Sequence, residues 1–363
     1  MPPALHQFRM ARVLVDDSLS EDISDFPEIT VFIPARDEKL LLPEKLSNVL
    51  SMNYPPSKLK ILLIDSGSVD GTGEIARDFL STEAKNISWS ILRLDSPGKS
   101  LAVNAAIEII DTEFFIMTDV DSKFSEDSLI IAISRLINEP KIGALCGKKK
   151  TLTGSTFSSY RERFNQIRIG ESIIDSTPIF EGSLCAFRTS AVSDGIDDKI
   201  NADDTQLALL SRRNNFRSVM DPRLGFYEPK SNYFRELRRS IRRAQGIIRC
   251  HIANRDLARI NDPFGAFFNH SLYFYVFFPW AMAASILLIA PALIEHLFFN
   301  PDLTSIPTSA LILIPALMLL SPVRDFTSGL SVLIISQMLL FTGKDLSKWR
   351  PIRKNTFNLP KVK

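Results

Sequence analysis

From Ile29 the chain alternates short apolar runs with longer stretches whose apolar residues recur at helical spacing, the signature of β-α-β units around a mostly parallel sheet. The runs Ile29 to Pro34, Leu59 to Asp65, Ser88 to Leu94, Glu113 to Asp119 and Ile142 to Cys146 predict strands. Between them, Leu40 to Leu50, Gly71 to Leu80, Leu101 to Ile110 and Ser125 to Ile137 predict helices. Ligands of such a sheet bind beyond the carboxyl ends of its strands, and here those ends are unusually acidic.

Charge is distributed unevenly. The 43 Lys and Arg against 41 Asp and Glu leave +2, too balanced for a chain whose main partner is nucleic acid. Between Phe264 and Gly343, however, only Glu295, Asp302, Arg324 and Asp325 are charged. Phe264 to Ile294 is 31 residues without a formal charge, longer than the roughly 20 that cross a bilayer, with Tyr273, Tyr275 and Trp280 as interface anchors. Ile306 to Val323 is a second candidate span. Phe326 to Gly343 reads as a re-entrant or interfacial third segment, because three full crossings would place the seven basic residues of the tail opposite the first domain. Cys146, Cys185 and Cys250 are widely spaced, which predicts reduced core thiols rather than a disulfide or zinc framework.

The sharpest chemical signal is Thr118-Asp119-Val120-Asp121-Ser122. Residues i and i+2 share a face of an extended chain, so Asp119 and Asp121 converge beyond the strand. Paired carboxylate oxygens suit Mg²⁺ or Mn²⁺ completed by water and substrate phosphates; an isolated pair of this kind is more often a solvated turn. Asp65 follows the second strand, ahead of a glycine-containing turn, with an Asx turn as its plain alternative. Gly98-Lys99 at a helix start brings amide dipoles and an ammonium to an anion, although the full phosphate-loop spacing is absent because Arg93 stands where its first glycine belongs. Asp203 and Asp204 open a helix, where one caps and the other can serve as a general base. Arg239 and Arg242, one turn apart with Arg243 beside them, can clamp a diphosphate or rest on anionic lipid.

In this order the elements resemble the membrane-bound members of glycosyltransferase family 2, which have the GT-A fold, over about Ile29 to Gly246. The family's opening P-x-x-N-E appears as Pro34-Ala35-Arg36-Asp37-Glu38, its nucleotide-binding acid as Asp65, and its G-K-x-x-A-L-N as Gly98 to Asn104, including Lys99 and Asn104. Its metal-binding D-x-D is Asp119 and Asp121, its acceptor-side glycine Gly182 in Phe180-Glu181-Gly182, and its E-D pair Asp203 and Asp204. The resemblance implies that Asp204 is the catalytic base. The Q-x-x-R-W of processive synthases reads Arg239-Ser240-Ile241-Arg242-Arg243, lacking the tryptophan that helps hold the acceptor sugar, so a long polymer product is disfavoured.

The resemblance thus implies an α/β, GT-A type, Rossmann-like fold: an extension over residues 1–27, a catalytic domain over 28–260, membrane or interfacial helices over 261–343 and a basic cytoplasmic tail over 344–363. It implies an inverting, Mg²⁺- or Mn²⁺-dependent transfer from a UDP- or GDP-linked sugar to a hydroxyl of a lipid or lipid-linked acceptor, at the cell membrane with the catalytic domain in the cytoplasm. A polyprenyl-phosphate glycosyl synthase, whose anionic acceptor needs no base, is the enzymatic alternative. A nucleotidyltransferase and a silent membrane scaffold are the remaining rivals.

Overall fold

The structure, a computed structural model, describes residues 25–150, 158–229, 233–299, 321–344 and 346. Strands β1 (Ile29–Ala35), β2 (Leu59–Ser66), β3 (Ser88–Leu94) and β4 (Phe114–Met117) form the parallel part of one sheet in the order β3-β2-β1-β4. Their connections are α1 (Leu42–Leu50), α2 (Thr72–Glu83) and α3 (Lys99–Ile109). The five predicted strands and four predicted helices are all present, with ends moved by a few residues; the last of these helices is α4 (Ser128–Asn138).

The other half of the sheet departs from expectation. Two further strands, β7 (Cys185–Arg188) and β8 (Arg217–Tyr227), join β6 (Ile142–Lys149) and the short β5 (Lys123–Phe124), continuing the order as β7-β6-β8-β5. β4 pairs antiparallel with β7, as do β7 with β6 and β5 with β8. The sheet is therefore mixed, with its parallel character concentrated in the first four strands.

Successive residues of a strand point to opposite faces, and both faces are covered. Val31, Ile33, Ile61 and Leu63 meet Leu46 of α1, Ala76 of α2 and Leu129 of α4 on one side. Phe32, Leu62, Ile64 and Phe115 meet Ala102 of α3, Ile169 of α5 (Ser158–Ile174) and Leu207 of α6 (Asp203–Arg213) on the other. This double burial is why the strands read as unbroken apolar runs. The three cysteines are free and buried, as expected.

The uncharged C-terminal stretch, read from the sequence as two candidate spans and an interfacial third segment, begins against the sheet domain. α7 (Tyr233–Ala253) leads to α8 (Pro263–Leu272), capped by Asp262, whose carboxylate accepts from the Gly265 amide at 2.7 Å. α8 buries Phe264 and Phe268 beside Leu209, Cys250 and Leu257. A π-helical turn at Tyr273–Phe277 interrupts the stretch before α9 (Phe278–Phe299), which contains Pro291. The expected third segment forms most of α10 (Ser321–Phe341), which packs Leu333 against Ala244 and Ile248 of α7 and buries Ser336 and Gln337. Among the described residues, no helix is long and apolar enough to cross a membrane. Most of Ile306 to Val323, residues 1–24 and nearly all of the basic tail lie outside the described residues.

Candidate active site

Register aligns the carboxyl ends of the central strands, with Ala35 beside Asp65 and Thr118 donating to the Phe32 carbonyl at 3.1 Å. Pro34 and Ala35 close β1, and Arg36, Asp37 and Glu38 follow on the turn. Asp37 adopts a left-handed φ of 50°; its carboxylate accepts from the Val69 amide at 2.8 Å while its own amide donates to Ser68 Oγ at 2.9 Å. Asp65 is buried, with Oδ1 accepting from the Ser68 amide at 2.9 Å and Oδ2 carrying no hydrogen bond among the described residues. A β-carbon on Gly73 would approach that oxygen to 3.0 Å. Asp65 thus has one oxygen held by the turn and one still to be satisfied.

The Asp119 and Asp121 carboxylates lie in a shared field of acids. Glu38 is buried and lies close enough that burial, then Asp121 and Asp119, push its carboxyl up to about 9. Asp121 is likewise raised by burial, Glu228 and Asp119, against the lowering effect of Arg239, which donates to it at 3.0 Å. Ser183 Oγ lies 3.3 Å from Asp119 and 2.8 Å from Glu228, which also pairs with Lys149. Beneath the loop, burial pulls the Lys45 ammonium down to about 7, opposed by Asp119 and Asp121.

This accumulation of carboxylates fits a divalent cation. Among the described residues no three His, Cys, Asp or Glu side chains surround one point. An ion held here would take Asp119 and Asp121 as its protein carboxylates and leave its other positions to water and phosphate oxygens, as Mg²⁺ and Mn²⁺ usually do.

Lys99, the first residue of α3, connects this loop to α6. Its ammonium lies 2.7 Å from Asp119 and 2.9 Å from Asp203. Burial alone would lower its pKa, but Asp119, Asp203 and Asp204 outweigh that effect and raise it. Asn104, further along α3, donates from Nδ2 to the Ile196 carbonyl and accepts at Oδ1 from the Ile196 amide, both at 2.8 Å, so it holds the loop ahead of Asp203.

Asp204 accepts from the Thr205 amide at 2.7 Å, and burial followed by its neighbour Asp203 pushes its carboxyl up to about 6. Gly182 makes room for it: a β-carbon there would come to 3.0 Å of Asp204 Oδ2. The arginines of α7 divide their roles. Arg239 meets Asp121. Arg243 lies 2.7 Å from Glu181, donates to the Phe180 carbonyl at 3.0 Å and approaches Asp204 to 3.9 Å. Arg242, between them in the field of Asp119, Asp203 and Asp121, forms no ion pair among the described residues. A β-carbon on Gly246 would stand 2.4 Å from the Asn201 carbonyl oxygen, so this glycine is what lets α7 lie against the chain entering Asp203.

The structure therefore gathers Asp119, Asp121, Lys99, Asp203, Asp204 and the three arginines into one cleft. Sequence reasoning missed Glu181, which also pairs with buried Arg168, as well as Ser183, Glu228 and Lys45. Their partners lie far away in the chain, so no local spacing announces them.

Residues 30–196 match the Glycosyl transferase family 2 profile. The solved mannosyltransferase PcManGT from Pyrobaculum calidifontis, in complex with GDP-Man and Mn²⁺, is 26% identical and covers 94% of this chain and 95% of its own, with a TM-score of 0.78. A probable glycosyltransferase of Bacillus subtilis, YdaM, is 25% identical over 52% of this chain and 47% of its own length. A poly-beta-1,6-N-acetyl-D-glucosamine synthase of Staphylococcus epidermidis is 27% identical over 46% of this chain and 40% of its own. The chain spans about half the length of these two curated relatives or less. Residues 30–196 thus carry a Glycosyl transferase family 2 domain, in a chain whose GT-A-like fold resembles that of a mannosyltransferase over nearly its whole length.

Proposed function

We propose that the protein moves a sugar, with inversion, from a UDP- or GDP-linked donor to a hydroxyl of a lipid or lipid-linked glycan, one transfer at a time. The observation that supports this reading is Lys99, which pairs with both Asp119 and Asp203 and so joins the loop we read as metal-binding to the helix we read as carrying the base. Asp65 and the turn from Pro34 to Glu38 take the nucleoside. A divalent ion on Asp119 and Asp121 would neutralise charge on the leaving diphosphate. Arg242, which has no carboxylate partner among the described residues, adds a cation for that diphosphate. Asp204 takes the proton of the attacking hydroxyl, its pKa of about 6 leaving it ionised at neutral pH.

Arg243 supports a non-processive reaction. It occupies the position of the acceptor-holding tryptophan and is engaged by Glu181 and Phe180, so no aromatic face is offered there. Phe277, Trp280, Leu287 and Leu288 are exposed, and they support seating on the cytoplasmic face of the cell membrane.

The test is a thermal-shift panel of UDP and GDP sugars with and without Mn²⁺, followed by assay of the released product. One donor is expected to raise the melting temperature more with Mn²⁺ than without, since a ligand of the native state stabilises it. That donor should release nucleoside diphosphate. Release of pyrophosphate would mean nucleotidyl transfer, and absence of binding and hydrolysis for every donor would favour a silent scaffold.

A further inference from the structure

Lys45 takes no part in the chemistry above, yet it is 1% exposed and among the largest fully buried side chains of the protein. An ammonium removed from water is costly unless its donors are satisfied and its charge is compensated. Among the described residues, Lys45 has no carboxylate in direct contact. Its Nζ donates instead to Thr118 Oγ1 at 2.6 Å and to the Ser122 carbonyl at 3.0 Å, with Ser122 Oγ at 3.3 Å, and it lies 4.2 Å from the centre of the Phe124 ring. Thr118 and Ser122 are the residues that bracket Asp119-Val120-Asp121. One side chain of α1 therefore grips both ends of the acidic loop from below.

We infer that Lys45 is a positioning residue for the divalent-ion site, tying the two ends of the Asp119 to Asp121 loop together so that both carboxylates are presented to one point. The inference rests on the reading of Asp119 and Asp121 as the ion's ligands. Two effects of the same ammonium oppose each other. Its charge repels a cation nearby, whereas its hydrogen bonds pre-form the loop the cation needs. The sign of the change on removing it shows which effect prevails.

Lys45→Met keeps the aliphatic stem. Thr118 and Ser122 stay bonded to each other at 3.1 Å, and both remain within 3.0 Å of the Ser183 carbonyl, so the fold is expected to persist. Mn²⁺ alone is titrated into the full chain, and the free ion is followed by its paramagnetic resonance signal. Groups behind the ligands of a metal typically contribute 10- to 100-fold to affinity, so the Lys45→Met dissociation constant should weaken about 10-fold or more. The metal-free melting temperature should stay within a few degrees of the parent's. Unchanged or tighter binding overturns the inference, as does weakening that merely follows loss of folded protein. Should Lys45→Met not fold, Lys45→Gln carries the same test with the same two readings. Asp121→Asn is the control: if it binds Mn²⁺ as well as the parent chain does, the ligand assignment itself falls and takes this inference with it.

Discussion

The two halves of the cleft, which we read as its donor side and its acceptor side, are held together by different forces. At the ends of β1 and β2, Asp37 and Asp65 are fixed by amides and hydroxyls of the turn between Asp65 and Thr72, and adjacent parallel strands supply the frame. Around α6 and α7 the fixing groups are charged side chains from distant parts of the chain: Glu181 between Arg168 and Arg243, Lys99 between Asp119 and Asp203, Arg239 on Asp121. A backbone-held half tolerates the loss of a charge, whereas an ion-pair-held half leaves a buried charge exposed to its own desolvation cost.

The acceptor side should therefore show the largest functional effect. Asp204→Asn should lower turnover by roughly 10²- to 10⁴-fold, the range a general base contributes, with donor binding changed little. The pH profile sharpens this. A carboxyl raised to about 6 accepts a proton only when ionised, so turnover should fall about tenfold per pH unit below about pH 6 and level off above it. Near-normal turnover of Asp204→Asn would point to an acceptor that is already anionic, as in a polyprenyl-phosphate glycosyl synthase.

Glu181→Gln tests the ion-pair side directly. It leaves Arg168, 7% exposed, without its carboxylate, and breaking a buried pair from one side costs about 3–5 kcal/mol. Denaturant unfolding should register that loss. A change below about 1 kcal/mol would mean that the acceptor half is held by its packing after all.

The same division explains which elements are legible in the sequence. Strands β1 to β4 and their helices announce themselves because sheet layers buried on both faces are continuous apolar runs. β8 does not, since Asp221, Pro222 and Arg223 interrupt it, and β7 is only four residues long. Asp119 and Asp121 could be named from their place at a strand end, and the Asp203-Asp204 pair from its place at a helix start, with Asp204 singled out by the family resemblance. Glu181, Arg168 and Lys45 could not, because each owes its role to partners met only after folding. In the uncharged stretch from Phe264, low charge suits both helices buried against the sheet domain, as Phe264 and Phe268 are, and apolar surface left exposed, as Phe277 and Trp280 are, so charge alone does not separate the two.

Gly246→Ala probes how closely α7 must approach the base. The new methyl would meet a backbone oxygen, not the end of a flexible side chain, so the helix itself must shift. Overpacking of this kind costs about 1–3 kcal/mol. Because Asn201 leads directly into Asp203 and Asp204, turnover should fall along with the melting temperature. A drop in melting temperature alone would show that the loop follows the helix without disturbing the base.

The smallest effects are expected on the donor side, and they test whether charge matters there at all. Asp37 stands at a φ of 50°, which costs an ordinary residue about 1–2 kcal/mol and which Asn and Asp tolerate best. Asn at 37 can keep both the backbone conformation and an oxygen for the Val69 amide, losing only the charge. Asp37→Ala loses all three. Unfolding measurements should place Asp37→Asn within about 0.5 kcal/mol of the parent chain and Asp37→Ala about 1–2 kcal/mol below it. Should Asn prove as damaging as Ala, the turn would depend on its negative charge, and the donor half would be held by the same ionic logic as the half across the cleft.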